Sequence, residues 1–102
     1  MNGDIRQEGR TFRFYIGTGQ DWGVGQIDRA RKKLKDIANN YFVGWTLIEA
    51  RGCYEGQEEH TFILEVFTDL KDRFIENFVT DIKQGLWQEC VGVIKLPPMK
   101  LK

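Results

Sequence analysis

Several residue types that carry enzyme chemistry are scarce in this chain. Among its 102 residues there is no serine, one histidine (His60) and only two cysteines, Cys53 and Cys90, which do not form a CxxC pair. Serine nucleophiles are therefore excluded, and neither a disulfide framework nor a metal-ligand pattern is indicated. From this inventory we expect no cofactor and no enzymatic activity.

Net charge and long apolar runs are also lacking. The 15 basic and 15 acidic residues cancel, which argues against a general affinity for nucleic acid polymers or anionic membranes. No apolar stretch approaches the roughly 20 residues that span a bilayer, and the polar N-terminus has no apolar signal core. We expect a cytoplasmic protein with no membrane partner.

What the chain does have is a strand–helix–strand pattern that occurs twice. Apolar and polar residues alternate in four stretches, which predicts strands at 11–17, 45–54, 60–67 and 87–96. Apolar residues recur at helical spacing over 26–41, and again after Thr68 and Asp69, two residues suited to cap a helix. We expect a single domain at 11–96, with a flexible arm at 1–10 and a short tail at 97–102.

This order of elements predicts the fold. It suits an α+β, ferredoxin-like two-layer sandwich of βαββαβ topology, with a four-stranded antiparallel sheet and both helices on one face. The expected strand order is four, one, three, two. Cys53 and Cys90 would then lie on opposite edges, too far apart to bond.

The sheet face that the helices leave open is the predicted functional surface. Strand parity places Phe12, Phe14, Ile16, Ile48, Ala50, Phe62, Leu64 and Val66 toward the helices. It leaves on the open face Arg13, Tyr15, Trp45, Leu47, Glu49, Arg51, Thr61, Ile63, Glu65 and Phe67. Such a mixture of apolar and charged residues favours an interface. One interpretation is a homo-oligomer in which the charges pair; the other is a pocket in which arginines hold a small anionic ligand.

Two further segments add candidate ligand contacts. The glycine-rich stretch Thr18–Gly25 joins a strand to a helix but matches neither the dinucleotide fingerprint nor a P-loop, and Trp22 in its middle could stack on a base. Gln88 and Glu89 begin the last predicted strand, where they either cap the sheet or bind sugar hydroxyls and base edges. The candidate ligand-binding residues are therefore Arg13, Tyr15, Trp22, Glu49, Arg51, Glu65, Gln88 and Glu89.

Short strings in the strands resemble those of a family. The strings are YIG at 15–17, GWTLIEARGCY at 44–54, EHTFILEV at 59–66 and QECVGV at 88–93. Over about residues 13–94 the chain is similar to small phage proteins that block Thoeris defence by sequestering cyclic nucleotide signals without cleaving them. The shared positions are Tyr15, Gly17, Thr46, Glu49, Gly52, Tyr54, Glu59, Thr61, Glu65, Gln88 and Glu89.

Three functional hypotheses follow. The resemblance implies a non-enzymatic module that binds a nucleotide-type signal in phage anti-defence, and this is our preferred interpretation. The second is an oligomeric structural or regulatory protein whose open face only makes the oligomer. The third is a small enzyme on a dimeric ferredoxin-like scaffold, with Tyr15, His60 and a carboxylate as acid–base groups.

Overall fold

The computed structural model describes residues 9–19, 22–88 and 91–97 of the chain. They form six elements in the predicted order: β1 (Arg10–Gly17), α1 (Val24–Tyr41), β2 (Trp45–Tyr54), β3 (Gln57–Thr68), α2 (Asp72–Gly85) and β4 (Gly92–Leu96). Most of the predicted arm and tail, together with Glu89 and Cys90, lies outside the described residues. No helix in the described ranges is long and apolar enough to cross a bilayer.

The four strands form one antiparallel sheet in the order β2-β3-β1-β4, which is the predicted order read from the other edge. β1 lies in the middle, where Phe14 is opposite Leu64 of β3 and Val93 of β4. The β2–β3 hairpin turns at Glu55 and Gly56, whose φ angles of 51° and 80° are those a type I′ turn requires. The predicted ferredoxin-like sandwich is confirmed.

The core lies between the two helices and one face of the sheet. Alternate residues of the central strands point into it, so Phe14, Ile16, Phe62 and Leu64 are fully buried. The ring of Phe14 packs edge-on against Phe78 of α2, with 4.9 Å between centroids. The buried apolar residues are Phe12, Phe14, Ile16, Ala30, Leu34, Ala38, Phe42, Phe62, Leu64, Val66, Ile75, Phe78, Ile82 and Leu86.

The second helix begins later than its capping residues predict. α2 starts at Asp72 with Lys71 at its N-cap, so neither Thr68 nor Asp69 caps it. The Thr68 hydroxyl instead accepts a hydrogen bond from the Leu70 backbone N–H at 3.1 Å. This side chain stabilises a local turn, which is the alternative that threonine offers the backbone.

The last strand is half as long as predicted. β4 covers only Gly92–Leu96, and Trp87 lies in a turn after α2 with φ 59°, a left-handed backbone conformation. The Gln88 N–H donates to the Lys83 carbonyl at 2.9 Å. This bond between residues five apart is the Schellman motif that ends many helices. The helix terminus thus includes residues that alternation alone assigns to a strand.

The predicted parity of β2 is wrong. Because Leu47 is opposite Leu64 and Glu49 is opposite Phe62, the odd-numbered residues of β2 face the helices. Trp45 and Leu47 pack against the core, whereas Ile48 is 45% exposed on the open face. Both parities of this edge strand carry apolar residues, and only the register with β3 decides between them.

Candidate functional site

A cleft opens at one end of the sheet, where the chain leaves β1 and enters α1. It has a volume of about 450 Å³, which lies in the range of small-molecule sites, roughly 300–1,000 Å³. We call it the corner cleft. Its lining residues are Thr18, Gly19, Trp22, Ile27, Glu49, Ala50, Arg51, Glu58, Glu59 and His60.

Local contacts fix the two sides of the corner cleft. Thr18 is buried, and both its backbone N–H and its hydroxyl donate to the His60 carbonyl at 2.9 Å, which holds the end of β1 against β3. The first turn of α1 is fixed by Gln26, whose side-chain oxygen accepts a hydrogen bond from the Gly23 N–H at 3.0 Å. The cleft walls are therefore tied to regular structure on both sides.

Glu49 is the centre of a charged cluster on the wall of the corner cleft. Arg31 of α1 meets it with two hydrogen bonds, Nε to Oε2 at 2.6 Å and Nη2 to Oε1 at 2.8 Å. His60 Nε2 lies 2.7 Å from Oε1 of the same carboxylate. A second carboxylate, Asp28, lies 2.6 Å from Arg31 Nη1. The guanidinium is thus oriented from both sides, and this bidentate geometry is the strong form of the ion pair.

This arrangement keeps Glu49 ionised. Hydrogen bonds from Arg31 lower the pKa of Glu49 below its ordinary value, the His60 contact acts in the same direction, and partial burial opposes both. The side chains of Arg31, Glu49 and His60 are each about 30% exposed. The His60 imidazole therefore contacts the ionised carboxylate of Glu49, and it remains accessible from the cleft. An accessible imidazole paired with a carboxylate is an arrangement used in general acid–base catalysis.

The remaining charges make the corner cleft acidic. Among its described lining residues, the carboxylates of Glu49 and Glu58 lie on the helix side of the sheet with one arginine, Arg51, which lies 3.1 Å from Glu58. Glu59 also lines the cleft, but its carboxylate lies against Gly17, where a Cβ atom would overlap it, and therefore points to the open face. An excess of negative charge beside Trp22 favours a ligand that carries a positive charge and a flat ring.

No metal site is indicated by the part of the chain that the structure describes. None of its groups of histidine, cysteine and acidic side chains is arranged to hold an ion. The corner cleft offers instead a proton-accepting imidazole, an aromatic wall and carboxylates. Those groups suit an organic ligand rather than a metal ion.

Three of the eight predicted ligand-binding residues meet in the corner cleft, and three lie on the open face. Trp22, Glu49 and Arg51 line it. Arg13, Tyr15 and Glu65 lie on the open face. Arg51 lies on the helix side, so the prediction that Arg13 and Arg51 share one face of the sheet is wrong. The physical reason is the register of β2, which turns its odd-numbered residues toward the helix side.

On the open face the predicted anion-binding arginine already has a partner. Arg13 is directly opposite Glu65 in the ladder, and its Nε and Nη2 lie 2.9 Å and 2.6 Å from the same carboxylate oxygen. The Oη atom of Tyr15 lies 3.5 Å from Nη1 of Arg13. An incoming anion would have to displace Glu65.

Gln88 belongs to the end of α2 and not to the end of a strand. Its side chain donates to the Leu86 carbonyl at 3.3 Å, and its backbone N–H caps the helix. Glu89 lies outside the described residues. The proposed pairing of these two residues as ligand contacts therefore stays a prediction.

Sequence reasoning missed Arg31 and did not identify the carboxylate that pairs with His60. The small-enzyme hypothesis groups His60 with Tyr15 and a carboxylate; the structure brings His60 to the carboxylate of Glu49, while Tyr15 lies on the opposite sheet face. Arg31, Glu49 and His60 come from three different elements, so no spacing in the sequence links them. The one available signal is the opposite charge of Arg31 and Glu49 on elements that face each other.

Comparison with known proteins identifies the fold and no family. No protein-family model matches the sequence, and no curated protein matches it. A solved structure of a phage SAM lyase in complex with S-methyl-5'-thioadenosine matches with a TM-score of 0.61 and 13% identity, over 87% of this chain and 81% of that one. A phage SAM lyase in the apo state matches with a TM-score of 0.59 and 16% identity, over 94% and 86%.

These matches bear on two predictions, the absence of enzymatic activity and the resemblance to Thoeris-blocking phage proteins. A lyase is an enzyme, so the expectation that this chain is not an enzyme is contradicted. Both neighbours are phage proteins, which agrees with the phage part of the resemblance, but neither is a Thoeris-blocking protein. At 13% and 16% identity the likeness is one of fold, and the corner cleft must be interpreted from its own residues.

Proposed function

We propose that this chain is an enzyme that binds an adenosyl sulfonium compound, S-adenosylmethionine or a close analogue, in the corner cleft and cleaves a carbon–sulfur bond. The observation that carries the proposal is the His60–Glu49 pair, with 2.7 Å between Nε2 and Oε1, in an acidic cleft with an aromatic wall. The structural neighbours supply the substrate class, since one of them binds S-methyl-5'-thioadenosine.

The groups of such a ligand match those of the cleft. A sulfonium and an ammonium carry positive charge, which the carboxylate of Glu58 would favour. The face of Trp22 suits either the adenine ring or the sulfonium, through stacking or a cation–π contact. Arg51 is the residue on the lining that could pair with the ligand carboxylate, after exchanging its exposed contact with Glu58.

The His60–Glu49 pair supplies a proton acceptor. In a lyase reaction the electron pair of the breaking carbon–sulfur bond passes to sulfur, which leaves as a neutral thioether. The carbon next to the breaking bond gives its proton to His60, and the electron pair of that C–H bond forms a carbon–carbon double bond in the remaining fragment. Glu49, held ionised by Arg31, then stabilises the imidazolium.

The proposed setting is a phage-infected cell. The neighbours are phage proteins, and the family resemblance implies a phage anti-defence role; on the present proposal that role consists of the enzymatic loss of a nucleoside-type metabolite. This enzymatic role replaces the earlier hypothesis, in which the protein binds a nucleotide-type signal without changing it. A cytoplasmic location follows from the nature of this substrate and remains part of the proposal.

The test is the direct formation of S-methyl-5'-thioadenosine. Purified protein is incubated with S-adenosylmethionine, and the product is followed by liquid chromatography and mass spectrometry. We expect turnover by the wild type and a loss of roughly 10²–10⁴-fold in kcat for His60→Gln, the range for removal of a general acid–base group. Glu65→Gln, a carboxylate change on the open face, is the matched control and should leave kcat unchanged.

Two results would contradict this proposal. If the wild type forms no product and calorimetry detects no binding of S-adenosylmethionine, the substrate class is wrong. If His60→Gln turns over at the wild-type rate, the corner cleft does not provide the base.

We also propose that the open face makes a homo-oligomer. This face carries Ile94 at 43% exposure, whereas Val93 on the same strand points to the other face at 45% exposure. Ile94→Asp should therefore reduce the sedimentation coefficient to that of a monomer, and Val93→Asp should not. A wild-type monomer at micromolar concentration would disprove the proposal.

A further inference from the structure

A second cavity lies on the other side of Trp22, between α1 and the end of α2. Its volume is about 510 Å³. We call it the helix groove. Its lining residues are Trp22, Gln26, Arg29, Ala30, Lys33, Gly85, Leu86 and Trp87.

The charge of the helix groove is opposite to that of the corner cleft. Arg29 and Lys33 line it one helical turn apart on α1, and no carboxylate is among its described lining residues. Neither cation has an ion-pair partner in the part of the chain that the structure describes. The stem of Lys33 passes over Gly85, where an added Cβ would lie 3.3 Å from Lys33 Cε.

Trp87 stands where a helix terminus normally has glycine. It occupies the left-handed position of the Schellman motif at the end of α2, with φ 59°, and it is 88% exposed. A bulky residue in this conformation is uncommon because its Cβ meets the backbone. An indole that is neither buried nor suited to its backbone conformation points to a role in binding.

We propose that the helix groove is a second ligand site, which shares Trp22 with the corner cleft and binds a nucleoside phosphate. Trp87 and Trp22 supply stacking surfaces for the base, and Arg29 and Lys33 supply charge-assisted hydrogen bonds to the phosphate. The two rings and the two cations line the same cavity, so one mononucleotide can meet both kinds of group. The proposal does not depend on the reaction assigned to the corner cleft.

The decisive variant is Trp87→Gly. Glycine is preferred in the left-handed conformation, so this variant should melt at or above the wild-type temperature. The experiment is isothermal titration calorimetry of the full chain with adenosine 5'-monophosphate at low ionic strength. We expect the wild type to bind and Trp87→Gly to bind about tenfold more weakly, the loss that follows removal of one base–aromatic stack.

Charge variants separate the phosphate contact from the stack. Arg29→Gln and Lys33→Gln should each weaken binding and reduce its dependence on salt. Lys35→Gln, on the same helix but away from the groove, is the matched control and should bind as the wild type does. Uncharged adenosine should bind more weakly than the monophosphate. A ten-residue deoxyadenosine oligonucleotide distinguishes a free nucleotide from the end of a nucleic acid.

Three outcomes would overturn the proposal. They are no detectable binding of the monophosphate by the wild type, equal binding by Trp87→Gly, and binding of the oligonucleotide alone. Formation of S-methyl-5'-thioadenosine by Trp87→Gly should match the wild type, because Trp87 does not line the corner cleft. Calorimetry with the monophosphate therefore tests the helix groove, and formation of S-methyl-5'-thioadenosine tests the proposed lyase activity, so the two proposals can fail independently.

Discussion

Replacing Glu49 by glutamine tests the charged cluster of the corner cleft. Three contacts shorter than 3 Å converge on this carboxylate, two from Arg31 and one from His60. A hydrogen bond to a charged group contributes roughly 1.5–3 kcal/mol where it is well buried. The side chain of Glu49 is 29% exposed and glutamine retains a neutral acceptor. We therefore expect a loss of about 1–2 kcal/mol in the free energy of unfolding at pH 7.

The assay is thermal unfolding followed by circular dichroism, with Glu58→Gln as the matched control. For a domain of this size a loss of 1–2 kcal/mol corresponds to a fall of about 5–10 °C in Tm. Glu58 is a carboxylate on the neighbouring strand that makes one contact with an arginine, Arg51, at 3.1 Å, and its side chain is 64% exposed. Exposed pairs contribute roughly 0–1 kcal/mol, so the control should shift Tm far less.

The pH dependence of the Glu49→Gln effect gives a second check. Because the pKa of Glu49 is lowered in the folded state, its stabilising contribution is complete above its ordinary value of 4.5. It is lost as the pH falls through the lower folded-state value. The Tm difference between wild type and variant should therefore shrink in acid. Equal Tm values for the two glutamine variants at pH 7, or a difference that persists in acid, would refute the proposed role of the cluster.

Three further predictions concern stability. Phe14→Ala removes a fully buried ring that packs on Phe78 and should cost about 3–5 kcal/mol in urea unfolding; an unchanged midpoint would contradict the core assignment. Tyr41→Phe removes the 2.6 Å hydrogen bond to Asp81, which raises the pKa of Tyr41 to about 12; it should cost about 1 kcal/mol at pH 7, and this cost should vanish as the pH rises from 10 to 12. Glu55→Asn at φ 51° suits the type I′ turn better and should raise Tm by a few degrees; a lower Tm would contradict the turn type.

The central strands could be predicted from the sequence because each has one apolar face. Phe12, Phe14 and Ile16 alternate with Arg13 and Tyr15, so only one parity of β1 can face the core. β2 is different, because Trp45 and Leu47 compete with Ile48 and Ala50 for the buried face. Such an edge strand receives its register from its single neighbour, and alternation does not determine it.

The ends of α2 escaped prediction for a related reason. Phe74 and Ile75 are adjacent, and the apolar stripe can be drawn through either; the structure buries Ile75 and leaves Phe74 36% exposed. At the C-terminus the left-handed residue of the Schellman motif is usually glycine, and here it is Trp87. Local propensity gave no signal for a turn at that tryptophan.

The candidate site was only partly predictable, since its parts come together through topology. Glu49 and His60 are diagonal neighbours on the β2–β3 hairpin, and Arg31 contacts Glu49 from α1. Arg31 and Glu49 are 18 positions apart, and no short motif records that distance. The charged residues of β2 were recognised as candidates, but the face on which they lie depended on a register that the sequence left open.

The opposite sheet face is better suited to a protein partner than to an anion. Arg13, the basic residue among the described residues of that face, is directly opposite Glu65, and the carboxylate takes two of its donors. Displacing Glu65 would leave a half-buried carboxylate without its partner, and unpaired charge away from water is costly. The exposed surface around the pair is apolar, through Ile48 and Ile94. A second copy of the chain could cover these side chains without breaking the pair, and the corner cleft on the helix side of the sheet would remain open to its ligand.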